Sequence, residues 1–228
     1  MCNVKIIKSM KNFDNEIKKI AENFKREPIF DGIVSEKDYQ NTDIKILWIL
    51  KDPNSTGEDG SWDMRGHIKY NLKTKTGILK GSSSTFKKII YVTNGILNNL
   101  SWNDELFHPS YKPEVIDELK KIAYINIKKT GGGPVANEND IWEYYNYSKD
   151  LLFAQIKDFK PTIIIFGGTY KYFQEDLALG TLESFGSCSA ISKNNTLYIK
   201  AYHPMYTIKE EVYFNDILKA VNQNKLKI

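Results

Sequence analysis

Four stretches of the sequence end a short apolar run in side chains that can do chemistry. "LWILKDPNSTG" (47–57) passes from large apolar residues into Lys51, Asp52, Pro53 and Asn54. "INIKKTGGG" (125–133) carries Asn126 and Lys128 into a glycine run, "IFGGT" (165–169) ends in Gly167-Gly168, and "AYHPMY" (201–206) delivers His203. A carboxylate can orient water or face a developing positive charge. A carboxamide offers a donor and an acceptor side by side, and an imidazole gives or takes a proton near neutrality. The set suits acid–base and hydrogen-bonding chemistry.

Each stretch also has an ordinary structural reading. Asp-Pro-Asn is a common exit from a strand, because proline presets φ and Asp and Asn tolerate tight bends. Gly167-Gly168 can serve only to let a helix pack closely on a strand. Gly131-Gly132-Gly133 lacks the Lys-Ser/Thr ending of a phosphate-binding loop, so nucleoside triphosphate binding there is rejected. His108-Pro109, in the polar "ELFHPSY", reads as surface, whereas His203-Pro204 follows an apolar run. Asn126 inside an apolar segment costs free energy unless a structural hydrogen bond or a ligand satisfies its amide.

The elements that position these residues follow from apolar periodicity. Residues 44–50, 121–129, 163–166 and 196–204 are short apolar runs bounded by turn residues and predict strands. Helical spacing is carried by 10–26 (Phe13, Ile17, Ile20, Ala21, Phe24) and 84–100, and by 137–158, which opens on the N-cap cluster "NEND". A further helix is expected over 169–178, and a last one to about 223, begun by a Thr207–Glu210 capping box. Residues 55–83 read as a long polar loop, and 182–192 as an edge strand or hairpin. Strands alternating with helices predict an α/β three-layer sandwich around a mainly parallel, four-stranded sheet. Ligands of such sheets bind outside the carboxyl ends of the strands, which would bring Asp52, Asn126, Gly167-Gly168 and His203 to one crevice.

Composition sets the outer limits. A chain of 228 residues with 41% apolar and 26% charged residues suits one globular domain over 1–228, with 1–40 as an N-terminal helical extension packed on it. A net charge of +4 permits contact with a polyanion without demanding it. Two cysteines are too few for a disulfide framework, a cysteine-ligated zinc or an iron–sulfur cluster, which points to the reducing cytoplasm and to no metal or other cofactor. No signal-peptide pattern opens the sequence, and no run approaches the ~18 apolar residues of a membrane span. A cytoplasmic monomer is the expectation.

The Asp-Pro turn after the first strand, the asparagine late in the second and the His-Pro turn after the last resemble the uracil-DNA glycosylase superfamily. "GSSSTFKKI" (81–89) is similar to that family's serine-bearing loop and helix. The resemblance covers roughly 44–210. It implies a pocket for an extruded base and hydrolysis of the N-glycosidic bond of uracil or another deaminated or mispaired base in single- or double-stranded DNA. Under it, Asp52 faces the oxocarbenium-like sugar and orients water. His203, neutral, donates to the departing base, and the Asn126 amide reads its Watson–Crick edge. Lys51 and Asn54 stand where the family has base-contacting residues. Ser82, Ser83, Ser84, Lys128 and Gly168 fall where phosphates are held, and Met205 and Tyr206 where a wedge enters the duplex. The chain departs from the family pattern at Asn54, where a tyrosine refuses thymine, at Lys51, where a glutamine stands, and at Met205, where a serine stands. The base-stacking aromatic is left among Trp62, Tyr70 and Phe86. These departures keep two other readings open: a non-catalytic nucleic-acid-binding member of the same fold, and an α/β hydrolase or transferase for a free nucleoside.

Overall fold

The computed structural model describes residues 12–53, 60–102, 108–133 and 136–224. Its centre is a seven-stranded sheet built from β1 (Gly32–Ile33), β2 (Ile46–Leu50), β3 (Ile122–Asn126), β4 (Ile163–Gly167), β5 (Glu183–Phe185), β6 (Cys188–Lys193) and β7 (Thr196–Ala201), in the order β1-β3-β2-β4-β7-β6-β5. The four expected strands lie side by side and run parallel, with Leu50 level with Asn126, Ile49 with Phe166 and Ala201 with Gly167. Four strands is nevertheless the wrong size for the sheet. β1 adds antiparallel to β3, and β5 and β6 extend the other edge as an antiparallel meander from β7. The meander covers the 182–192 edge expected from the sequence. β1 is too short to leave any periodic signal.

Every residue of β2, β3 and β4 is buried because helices cover both faces. On one face Ile46, Trp48 and Leu50 join Ile122, Tyr124, Ile163 and Ile165 beneath α2 (Ser83–Asn98) and α5 (Glu210–Gln223). On the other, Leu47, Ile49, Ile125, Ile164 and Phe166 meet α1 (Asp14–Asn23), α3 (Glu138–Phe159) and α4 (Tyr170–Leu177). Alternation along each strand thus serves two separate cores. The N-terminal α1 docks through Ile17, Ile20 and Ala21, and Phe13 meets the Phe159 ring edge-on at 5.9 Å.

Local chemistry explains most boundaries. The Asn137 side chain accepts hydrogen bonds from the main-chain N–H groups of Asn139 and Asp140, which starts α3 as "NEND" predicted. The Thr207–Glu210 capping box does not form. A tight turn after Pro204, with Tyr206 N–H on the His203 carbonyl at 2.8 Å, delays the helix, and α5 starts at Glu210 after an uncapped Lys209. The described part of the polar 55–83 segment is not a plain loop. Trp62–Asp63 pairs parallel with Ile29–Phe30, a short helical passage spans 64–71, and Lys73–Thr74 pairs with Gly77–Ile78. A 3₁₀ helix, Pro113–Lys121, buries Val115, Ile116 and Leu119 and leads directly into β3. No helix among the described residues is long and apolar enough to cross a membrane.

Candidate active site

A cavity of about 560 Å³ opens at the carboxyl ends of the parallel strands, a volume within the range of small-ligand sites. Asp52 and His203 both line it, although they leave β2 and β7, which are separated by β4. Beyond the sheet the first two exits stay zipped together. Ile127 N–H donates to the Leu50 carbonyl at 2.9 Å, Lys128 N–H to Lys51 at 2.9 Å, and Gly132 N–H to Pro53 at 3.0 Å. The glycine run therefore folds back over the Asp-Pro turn, and the Asp52 carboxylate fills the space where Gly132 lacks a side chain.

Burial pushes the Asp52 carboxyl up to about 6. Asp140 adds to the rise, while Lys128 and Lys51 oppose it. His203 moves the other way. Burial, and then repulsion from Lys51 and Lys88, lowers it to about 4, so the ring is neutral at physiological pH. The Met205 N–H donates to its Nδ1 at 3.2 Å, which leaves the ring proton on Nε2 as a hydrogen-bond donor. The turn is packed tightly from below. A methyl group on Gly168 (φ +75°) would sit 3.3 Å from the His203 Cβ, and one on Gly167 would collide with Leu50. Gly168 thus makes room for the His-Pro turn, rather than for a helix packed on the strand.

Asn126 is 1% exposed, and neither its amide nitrogen nor its amide oxygen has a hydrogen-bond partner among the described residues. It shares a sheet face with Tyr124 and stands level with Leu50, and both of those residues line the cavity, whereas Asn126 itself is not among the lining residues. Its main chain is held from the opposite side. Asp31 accepts the Asn126 N–H at 2.8 Å and the Lys129 ammonium at 2.7 and 2.8 Å, and Gln155 bridges both side chains at 3.1 Å. This buried Asp31–Lys129–Gln155 network was not anticipated. An isolated aspartate and lysine 98 positions apart carry no signal of pairing.

Other predicted residues separate. Lys51 lines the cavity, but its ammonium is bound to Glu138. Partial burial works to raise the Glu138 carboxyl, yet hydrogen bonds from Lys171, Lys51 and Tyr172 prevail and bring it to about 2. Lys128 does not present a charge for phosphate. Its side chain is 4% exposed, ion-paired with Asp140 and stacked over the Tyr144 ring at 4.9 Å. Ser82 lines the cavity, with its hydroxyl 3.3 Å from His67 Nε2. Ser83 and Ser84 instead line a second cleft, shared with Lys87, Lys88 and Tyr206, and Met205 borders both spaces. Asn54 lies outside the described residues.

Of the three aromatic candidates, Trp62 and Phe86 line the cavity, and Phe86 stacks on Tyr124 with ring centres 5.7 Å apart. Tyr70 is 72% exposed and borders a different groove. His67 is a lining residue with acid–base chemistry that the sequence did not single out. Its ring sits between Trp62 and Phe86, and burial lowers its basicity. It lies in the stretch without periodicity, where nothing marked it as inward-facing. Among the described residues no cluster of three or more His, Cys, Asp or Glu side chains is placed to hold a metal ion.

No protein-family model matches the chain, and no curated protein does.

Proposed function

We propose that the protein is a uracil-DNA glycosylase-like hydrolase that removes uracil or another deaminated or mispaired base from DNA. The supporting observation is the convergence of Asp52 and His203 on one cavity; the unpartnered Asn126 amide lies beneath it, beside the lining residues Leu50 and Tyr124. A base turned out of its strand enters between the aromatic wall of Phe86 and Trp62 and the turn at Asp52. The Asn126 carboxamide supplies a donor and an acceptor to its polar edge. As the bond from C1′ to the base nitrogen breaks, its electrons leave with the base, and His203 Nε2–H donates to the base oxygen that gains charge. The Asp52 carboxylate faces the cationic sugar and holds the water that adds to C1′. The water's proton passes to Asp52 and then to solvent.

Release of free base from oligonucleotides containing uracil, hypoxanthine, xanthine, or a G·U or G·T mismatch tests this reading. Asp52→Asn and His203→Ala should each slow release by about 10²-fold or more. Rates unchanged by both substitutions would remove the assignment. Salt-sensitive DNA binding with no release of any base would instead mark a non-catalytic binding protein. Hydrolysis of free nucleosides in preference to oligonucleotides would indicate a metabolic enzyme.

A further inference from the structure

Tyr202 and Tyr206 flank the His203-Pro204 turn and stack on each other, with ring centres 4.4 Å apart and planes 12° from parallel. Both remain at the surface, 47% and 54% exposed, and Met205 between them is 50% exposed. Large aromatic rings left in water usually mark a contact surface. This pair is also fixed in place from below. The Tyr213 hydroxyl donates to the Tyr202 carbonyl at 2.9 Å, and the buried Lys88 ammonium donates to the Tyr206 carbonyl at 2.7 Å. Met205 borders the cavity and the adjoining cleft, and Tyr206 lines the cleft, so the turn that carries the pair lies between the two spaces.

We infer that the Tyr202–Tyr206 pair is a stacking platform for the nucleobases next to the one held in the cavity, and that the substrate is single-stranded DNA. The inference rests on the nucleic-acid reading of the cavity. A wedge that opens a duplex is a slim side chain driven between stacked base pairs. Two rings closed face to face make a stack twice the thickness of one ring, which cannot enter a single base step without parting. Bases of a single strand can continue such a stack on its outer face, and a base already unpaired costs least to extrude. The cleft beside Tyr206 supplies some charge to match the backbone: exposed Lys209, and Lys87, which pairs with the one lining carboxylate, Glu210, at 3.3 Å, while the Lys88 ammonium is taken up by the Tyr206 carbonyl. Tyr206 therefore acts as part of a strand-binding surface rather than as a duplex wedge.

Fluorescence anisotropy with a labelled uracil-containing oligonucleotide, single-stranded and as a duplex, measured at two salt concentrations, tests the platform. The full chain should bind the single strand more tightly than the duplex. Tyr202→Ala and Tyr206→Ala should each weaken single-strand binding on the order of tenfold, and Tyr202→Phe and Tyr206→Phe should retain it, since stacking needs the ring and not the hydroxyl. Equal affinity for both forms, or alanine variants that bind like wild type, would overturn the inference. Base release from the same oligonucleotides separates the two readings. Release without a single-strand preference sinks the platform alone. A ring-dependent preference without release sinks the glycosylase reading alone, and binding to neither form sinks both.

Discussion

The carboxylate of Asp52 occupies the place of a side chain on Gly132: a methyl group there would lie 2.1 Å from Asp52 Oδ2 and 2.7 Å from its Cγ. The glycine that closes over the Asp-Pro turn thereby sets where the carboxylate points. Gly132→Ala should displace Asp52 and lower base release on the order of a hundredfold. Overpacking at this buried position should cost about 1–3 kcal/mol, read as a shifted urea midpoint. A variant that keeps full activity would show that the position of Asp52 is not critical.

Ionisation of Asp52 should govern the rate at acid pH. With its carboxyl at about 6, base release should rise through pH 6 and level off above it, and Asp52→Asn should abolish that limb. Stability carries a related signature. The unfolded aspartate titrates near 3.8, so between 3.8 and 6 the folded state binds more protons and Asp52 lowers stability as pH rises. His203 falls from 6.5 to about 4 on folding, so across that window the unfolded state binds more protons and stability rises with pH. The two slopes oppose each other between pH 4 and 6. Removing Asp52 should uncover the His203 slope, so that the melting temperature of Asp52→Asn climbs more steeply than wild type over this interval.

Three of the four parallel strands were legible because each is a continuous apolar run, buried on both faces and closed by turn residues, and β7 because buried Leu197, Ile199 and Ala201 alternate with more exposed residues. Asp52 and His203 were legible as polar side chains in the proline turns that follow β2 and β7. What failed depended on partners remote in sequence or on irregular backbone. Lys128 reads in isolation as a phosphate ligand, and only the packing of α3 shows that Asp140 and Tyr144 enclose it. His67 and Ser82 meet across a segment whose turns have neither helical nor strand period. The edge strand β1 pairs with β3 through two residues, and the 3₁₀ helix 113–121 has a period that neither common template matches.

Asp31 should be among the most sensitive positions for stability. It holds Lys129, which is fully buried, together with the main chain of Asn126 and the amide of Gln155. Asp31→Ala leaves a buried ammonium facing only an amide oxygen, and breaking such a pair costs about 3–5 kcal/mol. Chemical denaturation measures the loss directly. A cost below about 1 kcal/mol would mean that Lys129 finds water or another acceptor when Asp31 is removed.

Asn126 separates stability from function most cleanly. Most buried side-chain amides are bonded, and removing one partner of such a pair costs about 1–3 kcal/mol. The Asn126 amide has no partner among the described residues, so replacing it removes no protein hydrogen bond. Asn126→Leu, close in shape, should therefore leave stability unchanged or raise it by up to about 1 kcal/mol in urea unfolding. The same substitution deprives an extruded base of its donor and acceptor, and base release should fall on the order of a hundredfold or more, because sites built to bond a polar edge depend strongly on it. A stable but inactive variant identifies an amide held ready for a ligand. A variant destabilised by more than about 3 kcal/mol would identify a structural hydrogen bond, and Asn126 would then lose its place in base recognition.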